Sequence, residues 1–155
     1  MLTAFLGAAM SLASQDLAAR DKALKEIFDV LEKSLRTPDE AAFKAPWHPD
    51  AFEKNLVGGS GIPGKSVFGQ GSRKKWFPKP DLSKAQAVGD GSAVIVPCEI
   101  WAWEKEKAVD KVDFLLVKEK DGWVVLGGGE KRAQVEALAS RWQKKEPLAP
   151  APEKE

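Results

Sequence analysis

The sequence is poor in the residues that most often carry catalysis or bind metals. Its 155 residues include one cysteine, one histidine and no tyrosine. The single cysteine excludes an internal disulfide and a thiolate cluster, and the single histidine excludes a multi-histidine zinc site. Basic and acidic side chains number 24 and 23, so the net charge is only +1, and the basic excess that supplies most of the affinity for nucleic acid is missing. We therefore expect no metal, no cofactor and no nucleic-acid partner.

The chain also lacks an apolar run long enough to cross a bilayer, so we expect no membrane span. Its apolar start ends in Ser11-Leu12-Ala13, the small-x-small pattern that precedes a signal-peptidase cut, but no Lys or Arg precedes Arg20 to form a basic n-region. Residues 1–13 are therefore either a signal peptide or the first turns of a helix. The first interpretation implies export to the periplasm or the cell exterior, which is our working expectation, and the second implies a cytoplasmic protein.

Residues that favour β-structure recur between turn signals in one stretch, Lys84–Gly129. Asp90-Gly91 and Asp121-Gly122 each separate two apolar runs, and Asp-Gly favours the positive φ angles of a two-residue hairpin. The pattern predicts four antiparallel strands, near 84–89, 92–104, 109–119 and 122–127.

Apolar residues at helical spacing predict a long helix before this sheet. They fall at Leu17, Leu24, Ile27, Phe28, Leu31 and Leu35. Shorter helical pieces are expected at Thr37–Phe43, with Thr37 as N-cap, and from Pro49 onwards. Apolar spacing over 130–144 predicts a last helix.

These elements predict an α+β fold. A long N-terminal helix and short helices pack on a curved antiparallel sheet of about four to five strands, and an extra C-terminal helix follows. We expect one domain over 14–144. Residues 145–155 are rich in Pro, Ala and charged residues and are predicted to form a disordered tail.

The segment Gly59–Ser66, GSGIPGKS, matches the P-loop pattern G-x-x-x-x-G-K-[ST]. In a P-loop, two glycines let backbone N–H groups surround the phosphates, the lysine neutralises them and the serine binds magnesium. The corresponding residues here are Gly59, Gly64, Lys65 and Ser66.

The context of this segment argues against a P-loop. Gly69, Gly71 and Pro78 follow it and disfavour the helix that a P-loop requires, which leaves room for a short strand around Ser66–Phe68. The predicted sheet is antiparallel, whereas a P-loop core is parallel. A flexible glycine-rich loop is therefore the preferred interpretation, and phosphate or nucleotide binding is the alternative.

Alternation along the first long strand predicts which side chains share a face of the sheet. The apolar face, which should meet the helices, carries Val94, Val96, Cys98, Ile100 and Ala102. The opposite face carries Ile95, Glu99, Trp101 and Trp103.

Glu99 and Asp113 are carboxylates within apolar strands and are candidate catalytic residues. A hairpin through 105–107 would bring them together, and two carboxylates in an apolar pocket can share a proton and act as acid and base. The alternative, which we favour, is that both point to water and pair with Lys111 or Lys118 across the strands.

His48 is a third catalytic candidate, because its side chain has the only pKa that is naturally near neutrality. A Ser-His-Asp triad in this chain would have to use it. It lies in Trp47-His48-Pro49, at the expected start of a helix, so a capping role is the preferred interpretation.

Aromatic residues are plentiful, with six Trp and seven Phe, and they are the candidates for binding a ligand. The candidates are Trp47, Trp76, Trp101, Trp103 and Phe114. In Arg73–Phe77, RKKWF, cations adjoin aromatic rings, a mixture that binds phosphates and stacks on bases. A solvated turn whose Trp76 and Phe77 enter the core is the preferred interpretation.

The order of these elements resembles the nuclear transport factor 2-like superfamily, also called the cystatin-like or cone-shaped α+β fold. The resemblance covers about residues 14–128 and is carried by the Leu24–Leu35 helix, the Trp47–Phe52 segment and the strands with Asp121-Gly122-Trp123. It implies a cone-shaped cavity between the helices and the sheet.

The superfamily includes ketosteroid isomerase, scytalone dehydratase, polyketide cyclases and many ligand-binding or assembly domains. Its isomerases use an Asp base and an oxyanion hole built from Tyr and a protonated Asp. This chain has no Tyr and cannot form that hole. Dehydratase-type chemistry would require His48 to meet Asp113.

Three functions are therefore considered. The first is a non-catalytic domain that binds a small apolar or amphipathic molecule in the cone, or that assembles as a homodimer through the sheet. The second is a lyase or isomerase that uses Asp113 or Glu99 as general base in an aromatic pocket. The third is phosphate or nucleotide binding through Gly59–Ser66.

Overall fold

The computed structural model describes the backbone of residues 2–54, 56 and 63–148, and the side chains within these ranges from Asp16 onwards. Its helices are α1 (Leu2–Arg36), α2 (Glu40–Lys44), α3 (Pro49–Glu53), α4 (Gly64–Lys74) and α5 (Arg132–Gln143). Its strands are β1 (Trp76–Pro80), β2 (Gln86–Val88), β3 (Ala93–Ala102), β4 (Lys107–Glu119) and β5 (Gly122–Gly129). The fold is α+β, as the sequence predicts.

Two expectations concern the ends of the chain. The backbone of residues 2–13 belongs to α1, while Met1 and the side chains before Asp16 lie outside the described residues. The predicted tail lies outside them from residue 149 onwards. Before that point, Leu148 packs against the core. No described helix is long and apolar enough to cross a membrane.

The sheet is antiparallel and curled. Its strand order is β1-β3-β4-β5, and β2 pairs with the same strand as β1, β3. Two strands carry an extra residue, Val109 in β4 and Leu126 in β5, where the register shifts. Such bulges bend a strand and increase its twist, and they therefore curl the sheet around one face.

The Asp-Gly pairs do mark the hairpins, but in neither hairpin do the Asp and the Gly together form a two-residue loop. Four residues, 89–92, join β2 to β3, and Gly91 has a φ of 88°. The Asp90 carboxylate accepts a hydrogen bond from the backbone N–H of Ser92 at 2.9 Å. This contact to a residue two positions on is an Asx-turn, and it stabilises the longer loop. At the second hairpin the loop is Lys120-Asp121, and Gly122 begins β5 with a φ of 129°.

Helices α1 and α5 cover opposite faces of the sheet. Phe114 meets Phe28 of α1, with ring centroids 5.6 Å apart in an edge-to-face arrangement. The preceding residue, Asp113, binds Arg132 of α5. Because neighbouring residues of a strand point to opposite faces, the Phe114 side packs on α1 and the Asp113 side on α5.

The core follows from this arrangement. On α1, the residues at helical spacing are buried to 2% exposure or less: Leu24, Phe28, Leu31 and Leu35. On β3, Val94, Val96, Cys98 and Ala102 of the predicted apolar face are buried as well. On α5, the buried residues are Val135, Leu138 and Ala139. The sheet is thus buried on both faces over much of its length.

The C-terminal end of α5 is tied to the β2–β3 turn by one side chain. Gln143 donates from Nε2 to the carbonyl oxygen of Val88 at 2.7 Å, with Asp90 and Ser92 oxygens at 3.2 and 3.3 Å. A Cβ at Gly89 would lie 2.5 Å from Gln143 Oε1 and would displace this amide, and the φ of 57° at Gly89 also favours glycine.

The expectation that no helix follows Gly59–Ser66 is wrong. Helix α4 occupies Gly64–Lys74, including the proposed strand at 66–68. Glycine weakens a helix interior by only about 1 kcal/mol, and two glycines of α4 are needed for close packing. A Cβ at Gly64 would lie 2.8 Å from the Trp47 ring, and one at Gly71 would lie 3.0 Å from Leu35 and 3.1 Å from the Trp76 carbonyl oxygen.

Strand β1 was not among the four predicted strands. Its two prolines, Pro78 and Pro80, obscure it, because proline is tolerated in sheets mainly on edge strands. The strand pairs with β3 from Trp76↔Ala102 to Pro80↔Cys98. Of the predicted turn, Phe77 is buried as expected and Trp76 is half-buried.

Helix α4 offers a matched pair of substitutions. Gly64→Ala should lower the free energy of unfolding by about 1–3 kcal/mol, because the new methyl group overlaps the Trp47 and Phe52 rings. Gly69→Ala in the same helix, where a Cβ meets nothing within 4 Å, should raise it by about 0.5–1 kcal/mol. Urea midpoints at an unchanged m-value measure both. Equal effects of the two substitutions would contradict the packing role of Gly64.

Candidate functional site

A cavity of about 380 Å³ lies between the helices and the curled sheet. Most of its wall is apolar and comes from the Trp47 segment, α4 and the four strands β1, β3, β4 and β5. The principal wall residues are Trp47, Val67, Trp76, Ile100, Val112 and Phe114. This is the combination of an apolar wall and a concave shape that small-molecule sites share.

Glycines form part of the cavity wall. Gly71 of α4 and Gly128 and Gly129 of β5 are part of the wall. At Gly128 a Cβ would lie 2.7 Å from the carbonyl oxygen of Asp113, so close pairing of β4 with β5 requires glycine there. At this point the cavity wall is therefore formed by backbone.

Polar residues form the rim. Five exposed side chains contribute to the lining, Gln70, Asp110, Glu130, Lys131 and Gln134. Asp110 accepts the backbone N–H of Lys111 at 2.8 Å. A polar rim above an apolar wall suits a ligand with an apolar body and one hydrated end.

Trp47 is held in the wall by backbone pairing with β5. The N–H of His48 donates to the Val125 carbonyl oxygen at 2.9 Å, and the N–H of Val125 donates to the Pro46 carbonyl oxygen at 2.8 Å. The Trp47 ring lies 5.8 Å from the Phe43 ring and 6.5 Å from the Phe52 ring. It is 5% exposed, and its indole Nε1 is buried without a hydrogen-bond partner among the described residues.

Three of the five aromatic candidates line the cavity, namely Trp47, Trp76 and Phe114. The other two lie elsewhere. Trp101 follows Ile100 and so points to the opposite face, where the Lys79 ammonium lies 4.2 Å from its ring. Trp103 lies beside Phe77, with the Arg36 guanidinium 5.5 Å from its ring.

Glu99 and Asp113 do share a face of the sheet, as the hairpin predicts, but not the cavity. In the register of β3 and β4, Glu99 lies opposite Lys111 and Asp113 lies opposite Pro97. The two carboxylates are therefore diagonal neighbours on the α5 side of the sheet. Both line a separate, more open depression of about 550 Å³. Glu99 is exposed there.

Asp113 is bound by an arginine that sequence reasoning did not find. Arg132 donates from Nε to Oδ2 at 2.9 Å and from Nη2 to Oδ1 at 3.1 Å. Its Nη1 also donates to Gln86 Oε1 at 2.9 Å. The hydrogen bond to Asp113 is the largest of the causes that raise the pKa of Arg132 above its ordinary value. This bidentate pair links α5 to the sheet.

His48 caps α3, as its position predicts. Its Nδ1 accepts the backbone N–H of Asp50 at 3.2 Å, and its Nε2 lies 3.7 Å from Glu119 Oε1. Glu119 and Asp113 are six residues apart on β4, which is about 20 Å along a strand. The structure therefore does not bring His48 to Asp113.

The described residues of the P-loop pattern contact neighbouring parts of the protein. Gly59 lies outside the described residues. Gly64 packs under Trp47 and Phe52, and Lys65 Nζ lies 3.5 Å from Glu53 Oε2. Ser66 donates its backbone N–H to the Pro63 carbonyl oxygen at 3.0 Å. A helix does follow the pattern, but the sheet is antiparallel, unlike the parallel core of a P-loop protein. The packing of Gly64 against the two rings accounts for the second glycine of the pattern.

The described part of the chain contains neither a reactive thiol nor a cluster of metal ligands. Burial, followed by the negative charge of Asp113, raises the pKa of the Cys98 thiol far above its usual range. The thiol is therefore protonated at neutral pH and is a poor nucleophile. Within residues that are described, no group of three or more His, Cys, Asp or Glu side chains could hold a metal ion.

The Asp113–Arg132 pair should stabilise the fold. Asp113→Asn should lower the free energy of unfolding by about 1–3 kcal/mol, because Arg132 loses a charged acceptor in a partly buried site. Glu99→Gln, the control on the same face, should change it by less than about 0.5 kcal/mol. In a double-mutant cycle with Arg132→Gln, the losses should fall short of additivity by about 1 kcal/mol. Additive losses would show that the pair contributes nothing.

Cys98 should be inert in the native protein. Labelling by a thiol-reactive disulfide reagent should be slow and should become complete only in denaturant, because the thiol is buried and protonated. Raising the pH through the ordinary thiol pKa of about 8.5 should not bring the native rate up to that of the denatured chain. Rapid native labelling would contradict the burial of this side chain.

The chain was compared with known proteins at three levels. No protein-family model, no curated protein and no solved structure matches it. Only the residues that line the cavity therefore indicate what kind of molecule it binds.

Proposed function

We propose that this chain is a non-catalytic domain that binds a small, mainly apolar molecule in the cavity of about 380 Å³. The observation that carries the proposal is the cavity itself, with aromatic and aliphatic walls and a polar rim. Its volume lies at the small end of ligand pockets, which span roughly 300–1,000 Å³. A molecule with one or two rings, or an aliphatic chain of similar size, suits it best.

Binding is favoured over catalysis by where the reactive side chains lie. Asp113 is occupied by Arg132 and Glu99 is exposed on the other face. His48 caps α3 and is not part of the cavity lining. A lyase or isomerase that used Asp113 or Glu99 as base would have to act in the second depression, which is open and polar and offers a substrate little desolvation.

Small-molecule binding is also favoured over assembly through the sheet. Strand β1 carries Pro78 and Pro80 at one edge, and proline removes the N–H groups that a second strand would need. At the other edge, Pro46–His48 already pairs with Val125 of β5. Helix α5 covers part of the outer face, which reduces the area of sheet that a second copy could contact.

The same features support membership of the nuclear transport factor 2-like superfamily, which we propose on architecture alone. A long helix packs across a curled antiparallel sheet, and the cavity lies between them. The position of Trp47 in the cavity wall agrees with a role for the Trp47–Phe52 segment in closing the cone. Fold does not determine function, so the ligand is argued from the cavity.

The proposal is tested with 6-propionyl-2-(dimethylamino)naphthalene, a neutral two-ring probe whose fluorescence shifts to the blue in apolar surroundings. We expect saturable binding to the wild-type protein. Val67→Phe, which places extra volume in the cavity wall, should weaken it by at least about tenfold. The matched control is Val30→Phe, at a position of α1 that is 40% exposed and outside the cavity lining, and it should bind the probe like the wild type.

Two results would overturn the proposal. One is the absence of saturable binding to wild-type protein whose circular dichroism and urea midpoint show it to be folded. The other is equal affinity in the Val67→Phe and Val30→Phe variants, which would place the probe outside the cavity.

A further inference from the structure

Among the described residues of the cavity wall, Trp76 differs from the other aromatic side chains in its accessibility. Trp47, Phe77 and Phe114 are only 5–6% exposed, so their rings are almost completely covered by protein. Trp76 is half-buried. It follows the C-terminal end of α4, about 15 Å from the start of that helix at Gly64. The wall therefore contains an aromatic ring that a molecule in the cavity can contact directly.

The pairing of β1 with β3 places the Trp76 side chain on the cavity side of the sheet. Trp76 and Pro78 are two residues apart on β1, so their side chains lie on the same face. In the register they lie opposite Ala102 and Ile100 of β3. Pro78 and Ile100 line the cavity together with Trp76. The orientation of this ring is therefore set by the strand.

One face of the Trp76 ring already has a partner. The ammonium group of Lys74, an exposed residue in the last turn of α4, lies 4.6 Å from the ring centroid. This cation–π contact occupies one face of the indole and leaves the opposite face for a second partner. A ring held by its strand and by a cation is a preformed flat surface, and it offers contact area at a small cost in conformational entropy.

The cavity has room for a flat molecule beside this ring. Its lining extends from β1 to β5, the first and last strands in the order β1-β3-β4-β5. Three strand spacings separate these two strands, which is about 14 Å. At the β5 end, the wall includes the backbone of Gly128 and Gly129, where no side chain projects. Two fused rings can therefore extend from Trp76 across the sheet.

We propose that the ligand of this cavity has a planar aromatic body that stacks on the free face of the Trp76 indole. This inference rests on the proposed function and narrows the ligand from rings or chains in general to an aromatic ring system. An offset-stacked aromatic pair gains affinity beyond that due to the area it buries, whereas an aliphatic body of the same volume does not. Trp76 is then the residue that determines this specificity.

The test compares two probes with the same skeleton, 2-methoxynaphthalene and 2-methoxydecalin, of which only the first is aromatic. Their affinities for wild-type protein and for Trp76→Leu are measured by calorimetry. Trp76→Leu keeps an apolar side chain in the wall and removes the flat ring. The ratio of naphthalene affinity to decalin affinity should fall about two- to tenfold in the variant, the range expected for one aromatic pair.

Trp101→Leu is the matched control. Trp101 is also half-buried and has a lysine ammonium, that of Lys79, 4.2 Å from its ring. It does not line the cavity, so the affinity ratio should be the same in this variant as in the wild type. Because the comparison uses a ratio, the difference in hydrophobicity between the two probes cancels.

A second measurement needs only the wild-type fold. In protein labelled with ¹³C in its tryptophan rings, the Trp76 ring protons should move to higher field with the naphthalene and not with the decalin, because a stacked aromatic ring shields protons above its face. The Trp101 ring protons are the internal control and should not distinguish the two probes. Trp76→Phe and Trp101→Phe assign the two sets of resonances.

The outcomes separate this inference from the proposed function. If both probes bind, the affinity ratio is unchanged in Trp76→Leu and the Trp76 resonances do not distinguish the probes, the ligand does not stack on Trp76 and the inference fails while the cavity stands. If neither probe binds the folded protein, both fail. A naphthalene-specific movement of the Trp76 resonances supports the inference even if Trp76→Leu does not fold.

Discussion

The contact between the Trp47 ring and the backbone of Gly64 is the constraint on which the helical side of the molecule depends. Any side chain at position 64 would lie within 3 Å of two aromatic rings. The contact joins the start of α4 to the segment that runs beside β5, and so fixes two walls of the cavity at once. On the far wall, Gly128 allows β5 to approach β4. The cavity lies between these two closely packed contacts.

The alternation of neighbouring residues at Asp113 and Phe114 of β4 divides the remaining chemistry between two faces. Phe114 points to α1 and the cavity, while Asp113 points to α5 and Arg132. The two candidate bases, Asp113 and Glu99, are therefore kept apart from the apolar space suited to a ligand, and the carboxylates that border this space, Asp110 and Glu130, lie exposed at its rim. This separation is the physical reason for preferring binding to catalysis.

Much of the fold could be predicted from the sequence, and much of the site could not. The periodicity of Leu24–Leu35 and the Asp-Gly turn signals are local, so they predicted α1 and the four strands of the hairpins. Helix α4 was missed because its glycines are explained only by distant partners, Trp47 and Leu35. Asp113 and Arg132 lie 19 residues apart in the chain and on different elements. No rule of sequence spacing predicts that they form a pair. Trp47, Trp76 and Phe114 could be named as ligand residues from composition, but which face each occupies depended on the register.

The hydrogen bonds of Gln143 bear on the order in which the chain folds. They join the last turn of α5 to Val88, 55 residues earlier, so the loop that they close includes three strands of the sheet. Closing so long a loop costs chain entropy that is recovered only when the intervening strands are already paired. Docking of α5 should accordingly be a late event, and on the ribosome the β2–β3 turn is without its Gln143 partner until about 50 further residues have been added.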